Sequence, residues 1–106
     1  MHAVIHYSPP HIRSKGVFKA KDSRPALKAF YNGEYTPSRE IAFPDGFSLS
    51  DVPHECYDLT NNPMRNDESI KRAGVVDSLI SGEIVIVTGE VTETWLCLSF
   101  GWMKVE

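Results

Sequence analysis

Cysteine is scarce in this chain: its 106 residues contain two, Cys56 and Cys97. Two thiols cannot build a disulfide framework, and both sit among apolar neighbours, as small buried hydrophobes do. Long hydrophobic runs are also missing. The longest aliphatic stretch is Ile84-Val85-Ile86-Val87, far short of the ~20 residues that span a bilayer, so no membrane partner is expected. The opening, Met1-His2-Ala3-Val4-Ile5-His6-Tyr7, lacks the basic and extended apolar regions of a secretory signal, and a cytoplasmic location is expected. The seven glycines are scattered as turn residues and form neither a phosphate-binding loop nor a G-x-S-x-G elbow.

Aromatic and aliphatic residues are not lacking. At 42% hydrophobic and 10% aromatic the chain has the material for a core, which excludes a disordered protein. Its length fits one domain, with room for one modest core but not for a deep, elaborate active site as well. The net charge of −3 hides an uneven distribution. Residues 1–39 hold Arg13, Lys15, Lys19, Lys21, Arg24, Lys28 and Arg39 against Asp22 and Glu34, a net +5. The remaining 67 residues hold four basic groups against twelve acidic ones, a net −8. Such asymmetry marks either a surface for nucleic acid or a partner, or two halves that attract each other in the fold.

Residues 2–7 read as a strand closed by Pro9-Pro10, with 9–16 a loop and a second extended stretch over 16–21. A helix follows: Ser23 as N-cap, Pro25 in the first turn, Gly33 at C′, and Leu27, Phe30 and Tyr31 as its core-facing stripe. Residues 39–44 read as a strand ended by the turn signal Pro44-Asp45-Gly46. A second helix starts at Ser50 with Asp51 and Pro53 in its first turn. Leu49, Val52, Cys56 and Leu59 recur there at helical spacing, Glu55 and Asp58 face outward, and Asn61-Asn62-Pro63 stops it. Residues 63–74 are polar without a period and read as a long loop. The last third is β: 83–88 and 95–100 form a hairpin, and Gly101 marks a bulge or bend before Trp102–Val105. The expected fold is α+β, two short helices against a small, mostly antiparallel sheet. The C-terminal strands are apolar on both faces, so the sheet is covered on both sides or curled toward a partial barrel.

Candidate chemistry is sparse. C-x-x-C is absent; His2 and His6 share a strand face but stand ~13 Å apart. His54 and Cys56 lie on different sides of a helix, so no metal site is expected. The cysteines have no basic neighbours at a helix N-terminus to activate them, and no cofactor is implied. Lys15, Lys19 and Lys21 on one strand face, with Arg24 and Lys28 on one helix face, form a candidate phosphate-binding patch; the alternative is a solvated face. The acidic residues Asp51, Glu55, Asp58, Asp67, Glu68, Asp77, Glu83, Glu90 and Glu93 suggest mimicry of a phosphate array. Trp95, Phe100 and Trp102 read as core or as interface anchors.

The segments Thr60-Asn61-Asn62-Pro63, Asp77-Ser78-Leu79-Ile80-Ser81-Gly82-Glu83-Ile84-Val85 and Phe100-Gly101-Trp102 carry a resemblance. Over about the last 47 residues the chain resembles small uncharacterised proteins of phages, plasmids and actinobacterial mobile elements. In these a helix ends in Thr-Asn-x-Pro, and a polar loop leads to Arg-Ser-Leu-Ser-Val-Gly-Asp-Val-Val and a hairpin closing on Gly-Trp or Gly-Phe. Asp77 replaces the leading Arg, and Ile80-Ser81 replaces Ser-Val. The resemblance implies a mobile-element product acting inside a bacterium, and brings no catalytic residues.

The first expectation is thus a non-enzymatic protein binding a host protein through Glu55, Asp58, Arg65, Asp67 and Glu68, in host takeover or counter-defence. The second is a nucleic-acid-binding accessory protein using Lys15, Lys19, Lys21, Arg24 and Lys28. The third is a small hydrolase or nuclease with carboxylates gathered in one cleft. An exposed strand edge would also allow a homodimer.

Overall fold

A computed structural model describes residues 1–14, 23–44, 46–65, 78–99 and 101–105. The chain forms a six-stranded antiparallel sheet with a helical layer on each face. In chain order the elements are β1 (His2–Tyr7), α1 (Pro10–Ser14), α2 (Arg24–Tyr31), β2 (Thr36–Pro37), β3 (Ile41–Ala42), α3 (Val52–Asn61), a 3-10 turn (Pro63–Arg65), β4 (Ile84–Thr88), β5 (Thr92–Leu98) and β6 (Gly101–Val105). The strand order is β2-β1-β4-β5-β6, with β3 also pairing β1 beyond β2. The sheet is open, with no closure into a barrel.

The alternation of a strand's side chains places one set against α3 and the other against α1 and α2. Ala3, Ile5, Val85, Val87 and Cys97 pack with Val52, Cys56 and Leu59 of α3. Ile84, Ile86 and Leu96 pack with Ile12 of α1 and with Ala26 and Ala29 of α2. Cover on both faces is why β4 is apolar at every position from Ile84 to Val87.

Several expectations needed correction. Residues 9–16 are not wholly a loop, since Pro10–Ser14 is helical. Proline at the first helical position fixes φ at a helical value, and burial of Ile12 ties the turn to the sheet. In α2 the capping positions hold, with Ser23 at the N-cap and Gly33, at φ 76°, just past Asn32. The core stripe holds in part: Leu27 and Phe30 are half-buried and pack against the cluster that contains the buried Ala26 and Ala29, whereas Tyr31 is 65% exposed. Tyr31 lies about 140° around the helix from Ala26, and two alanines let the axis approach the sheet closely. The α3 N-cap is Asp51, one residue later than expected. The β4–β5 link is Gly89–Val91, shorter than expected, because Thr92 already pairs with Thr88. Gly101 opens β6 opposite Leu98 rather than preceding it. The extended reading of 16–21 and most of the 63–74 loop lie outside the described residues.

Candidate interaction face

α3 buries Val52, Cys56 and Leu59, so its opposite side carries His54, Glu55, Tyr57, Asp58 and Asn61. The helix is tied at its C-terminal end to the segment leading into β4. Thr60 Oγ1 donates to the Cys56 carbonyl and accepts the Leu79 N–H, both at 3.0 Å. Asn61 Nδ2 donates to the Leu79 carbonyl at 2.7 Å, and Ser78 Oγ donates to the Thr60 carbonyl at 3.0 Å. With Leu79 itself fully buried, residues 78–81 form a fixed wall beside the helix.

Beyond the helix, the 3-10 turn folds Arg65 back over α3. Its guanidinium donates to Glu55 Oε1 at 2.5 Å and to Asp58 Oδ2 at 2.6 Å. The fork of a guanidinium suits two carboxylates one helical turn apart. The hydrogen bond from Arg65 holds the Asp58 carboxyl below the usual range, with smaller help from Asn62 and His54. Glu55 and Asp58 face away from the buried stripe, as expected, and one cation holds both, with side chains 18% and 35% exposed. Asp67 and Glu68 lie outside the described residues.

Five large hydrophobic side chains are exposed among the described residues. Tyr57, at 40%, lies on α3; Met64, at 90%, precedes Arg65 in the 3-10 turn; and Ile80, at 37%, follows Leu79 in the wall. Between α3 and the β5–β6 turn runs a cleft of about 320 Å³. It is lined by His54 and Tyr57 from the helix, Ser81 from the wall, and Leu98, Ser99 and Trp102 from the strands. No carboxylate lines it among the described residues.

The remaining candidates are dispersed. Arg24 and Lys28 are exposed on α2, in the layer across the sheet from α3; Lys15, Lys19 and Lys21 lie outside the described residues. Cys56 and Cys97 are buried thiols. Burial, reinforced by the Glu83 charge, pushes the Cys97 thiol up to about 12. Glu83 does not belong to a surface acidic array. It is fully buried, and its carboxylate accepts the Ser8 N–H. Beside it, Tyr35 Oη donates to the Gly82 carbonyl at 2.7 Å, joining the α2–β2 connection to the start of β4. Glu93 is 17% exposed and paired with Lys104 at 3.0 Å. Trp95 and Trp102 are half-buried against the α3-side core, and Phe100 lies outside the described residues. Among the described residues no group of three or more His, Cys, Asp or Glu is placed to hold a metal ion. No described helix is long and apolar enough to cross a membrane.

Sequence reasoning named Glu55, Asp58 and Arg65 as contact residues and did not name Tyr57, Met64 or Ile80. The helical period carries a signal for Tyr57, which falls off the Val52–Cys56–Leu59 stripe although it is large and aromatic.

The fold is a small α+β domain with an open antiparallel sheet between two helical layers. No protein-family model, curated protein or solved structure matches the chain.

Proposed function

We propose that this is a non-enzymatic accessory protein of phage or mobile-element origin that binds and modulates a protein of the bacterial host, in takeover or counter-defence. The observation that carries the reading is the exposure of three large hydrophobic side chains, Tyr57, Met64 and Ile80, on α3 and the two segments tied to it, together with the pairing of Glu55 and Asp58 by Arg65. Aromatic residues, methionine and arginine are enriched in the centres of protein interfaces, and free acidic side chains are depleted there. Arg65 offsets one of the two negative charges and hydrogen-bonds both carboxylates, which lowers their resistance to desolvation, and the ties to residues 78 and 79 hold the face in place before binding. Two further features favour binding over catalysis: both thiols are buried, and no carboxylate of the described residues lines the cleft beside α3.

The test is capture from bacterial lysate with the tagged protein, with and without nuclease, comparing wild type with the Tyr57→Ala/Met64→Ala double variant. Both side chains are exposed, so the variant keeps its fold. A host protein that survives nuclease and is retained roughly 10-fold less by the variant supports the reading, since interface anchors contribute ~1–2 kcal/mol or more each. A catch that disappears with nuclease overturns it in favour of nucleic acid bound at Arg24 and Lys28, with Lys15, Lys19 and Lys21.

A further inference from the structure

The two edges of the sheet are built differently. On the far side, β1 is flanked by two strands of two residues each, and β2 carries Pro37. Short strands and proline are the usual means of blunting an edge. β6, at the opposite edge, is five residues long and contains no proline.

Its outward-facing groups are fixed by the pairing behind it. Cys97 of β5 directs its N–H to the Glu83 carbonyl at 2.9 Å, and its own carbonyl accepts from Gly82 N–H at 2.7 Å. Its polar groups therefore point away from β6. Trp102, opposite Cys97, must then turn its N–H and C=O to the outer edge, and so must Lys104 two residues on. Gly101, Met103 and Val105 point theirs inward at β5. Trp102 and Lys104 share the α3 face of the sheet; Met103 lies on the other.

We propose that β6 is a homodimer interface, pairing antiparallel with β6 of a second copy about a twofold axis through Met103. In that register Gly101 faces Val105 of the second copy, so the whole strand is used. Trp102 and Lys104 of one copy exchange both backbone hydrogen bonds with Lys104 and Trp102 of the other, about four in all. The same register sets each Lys104, paired with Glu93 of its own chain at 3.0 Å, opposite Trp102 of the second copy on the α3 face. A twofold through Lys104 would instead oppose two like charges, and one through Trp102 would carry Lys104 beyond the partner's strand. The resulting sheet runs continuously through both copies, with the two α3 faces on the same side. The interface is isologous and closes on itself.

The test combines light scattering with register-specific cross-linking on the full chain. Wild type is expected to shift from 11.9 kDa toward twice that mass between ~10 µM and ~1 mM, as befits a small interface. Lys104→Pro removes an outward N–H, which an edge strand tolerates, along with the Lys104–Glu93 ion pair; it is expected to remain monomeric, and Lys104→Ala, which loses the ion pair but keeps the N–H, is expected to dimerise. Met103→Cys is expected to form a disulfide-linked dimer, because facing residues at such a site are about 4.5 Å apart. Val105→Cys is expected not to, its two copies lying ~13 Å apart. The native Cys56 and Cys97 are buried and do not compete. A monomer at every concentration overturns the proposal and leaves the edge to a strand from another protein. Equal cross-linking at 103 and 105, or a Lys104→Pro dimer as stable as wild type, overturns it as well. If Lys104→Pro does not fold, the cross-linking pair decides alone.

Discussion

Replacing Leu79 by alanine tests whether the wall beside α3 is as rigid as its hydrogen bonds imply. Leu79 is fully buried among the core residues on the α3 side. Truncation removes about three carbons' worth of buried surface, which at ~0.8 kcal/mol each is roughly 2.4 kcal/mol of transfer free energy. A cavity cost is added to the extent that the surroundings cannot collapse. Here they are restrained: the Leu79 N–H is held by Thr60 and its carbonyl by Asn61. The cavity therefore stays open, and the expected total is about 3–4 kcal/mol, within the usual ~2–5 for such changes. For a domain of this size that is a large part of a total of ~5–15 kcal/mol. Chemical denaturation measures it, with Ile80→Ala as the neighbouring control; Ile80 is 37% exposed and should cost about 1 kcal/mol or less. A loss below about 1.5 kcal/mol for Leu79→Ala would refute the reasoning, since the segment would then have closed over the gap despite its ties.

Two further predictions concern titration. Burial lowers the His6 imidazole below its ordinary value, so the unfolded chain takes up that proton first. Stability is then present above about pH 6.5 and is lost as pH falls toward the lower folded value. His6→Gln should flatten that part of the stability-against-pH curve, and an unchanged slope would show that another group carries it. The Cys97 thiol, pushed up to about 12, holds its proton in the folded state. Stability is intact below the ordinary thiol range and declines as pH rises through that range to about 12. Alkylation at pH 8 should accordingly be slow in the native protein and fast in denaturant; rapid native labelling at Cys97 would contradict its burial.

Much of this architecture is legible in the residues. β1, the caps of α2, the apolar stripe of α3 and the β4–β5–β6 succession follow from period, proline and glycine placement, and the paired apolar faces of β4 foretell cover on both sides. What escapes does so for physical reasons. α1 is five residues long, too short for a period, and owes its existence to the burial of Ile12. β2 and β3 are two residues each and exist only because β1 offers them an edge. Tyr31 was misplaced in the α2 stripe because side-chain size was read as burial, whereas the alanines set the helix-to-sheet distance. At the candidate face on α3 the charges were legible but their pairing was not: a contact between Arg65 and two carboxylates on the preceding helix depends on the 3-10 turn. Glu83 gave no sign of its burial, being one acidic residue among many.

The pairing of β1 with β4 sets the order in which this molecule can assemble. His2 lies opposite Thr88 and His6 opposite Ile84, so β1 waits for a strand that is made much later. Closing so long a loop costs entropy that local structure does not. The β4–β5–β6 meander is contiguous and can form by itself, which makes it the natural template onto which β1 docks. Until it does, β1 presents alternating apolar side chains and a full row of unmet backbone groups to the cell, the kind of surface that chaperones bind. Folding of this small domain should therefore be limited by that single long-range closure, with a rate typical of non-local β proteins rather than of helical ones.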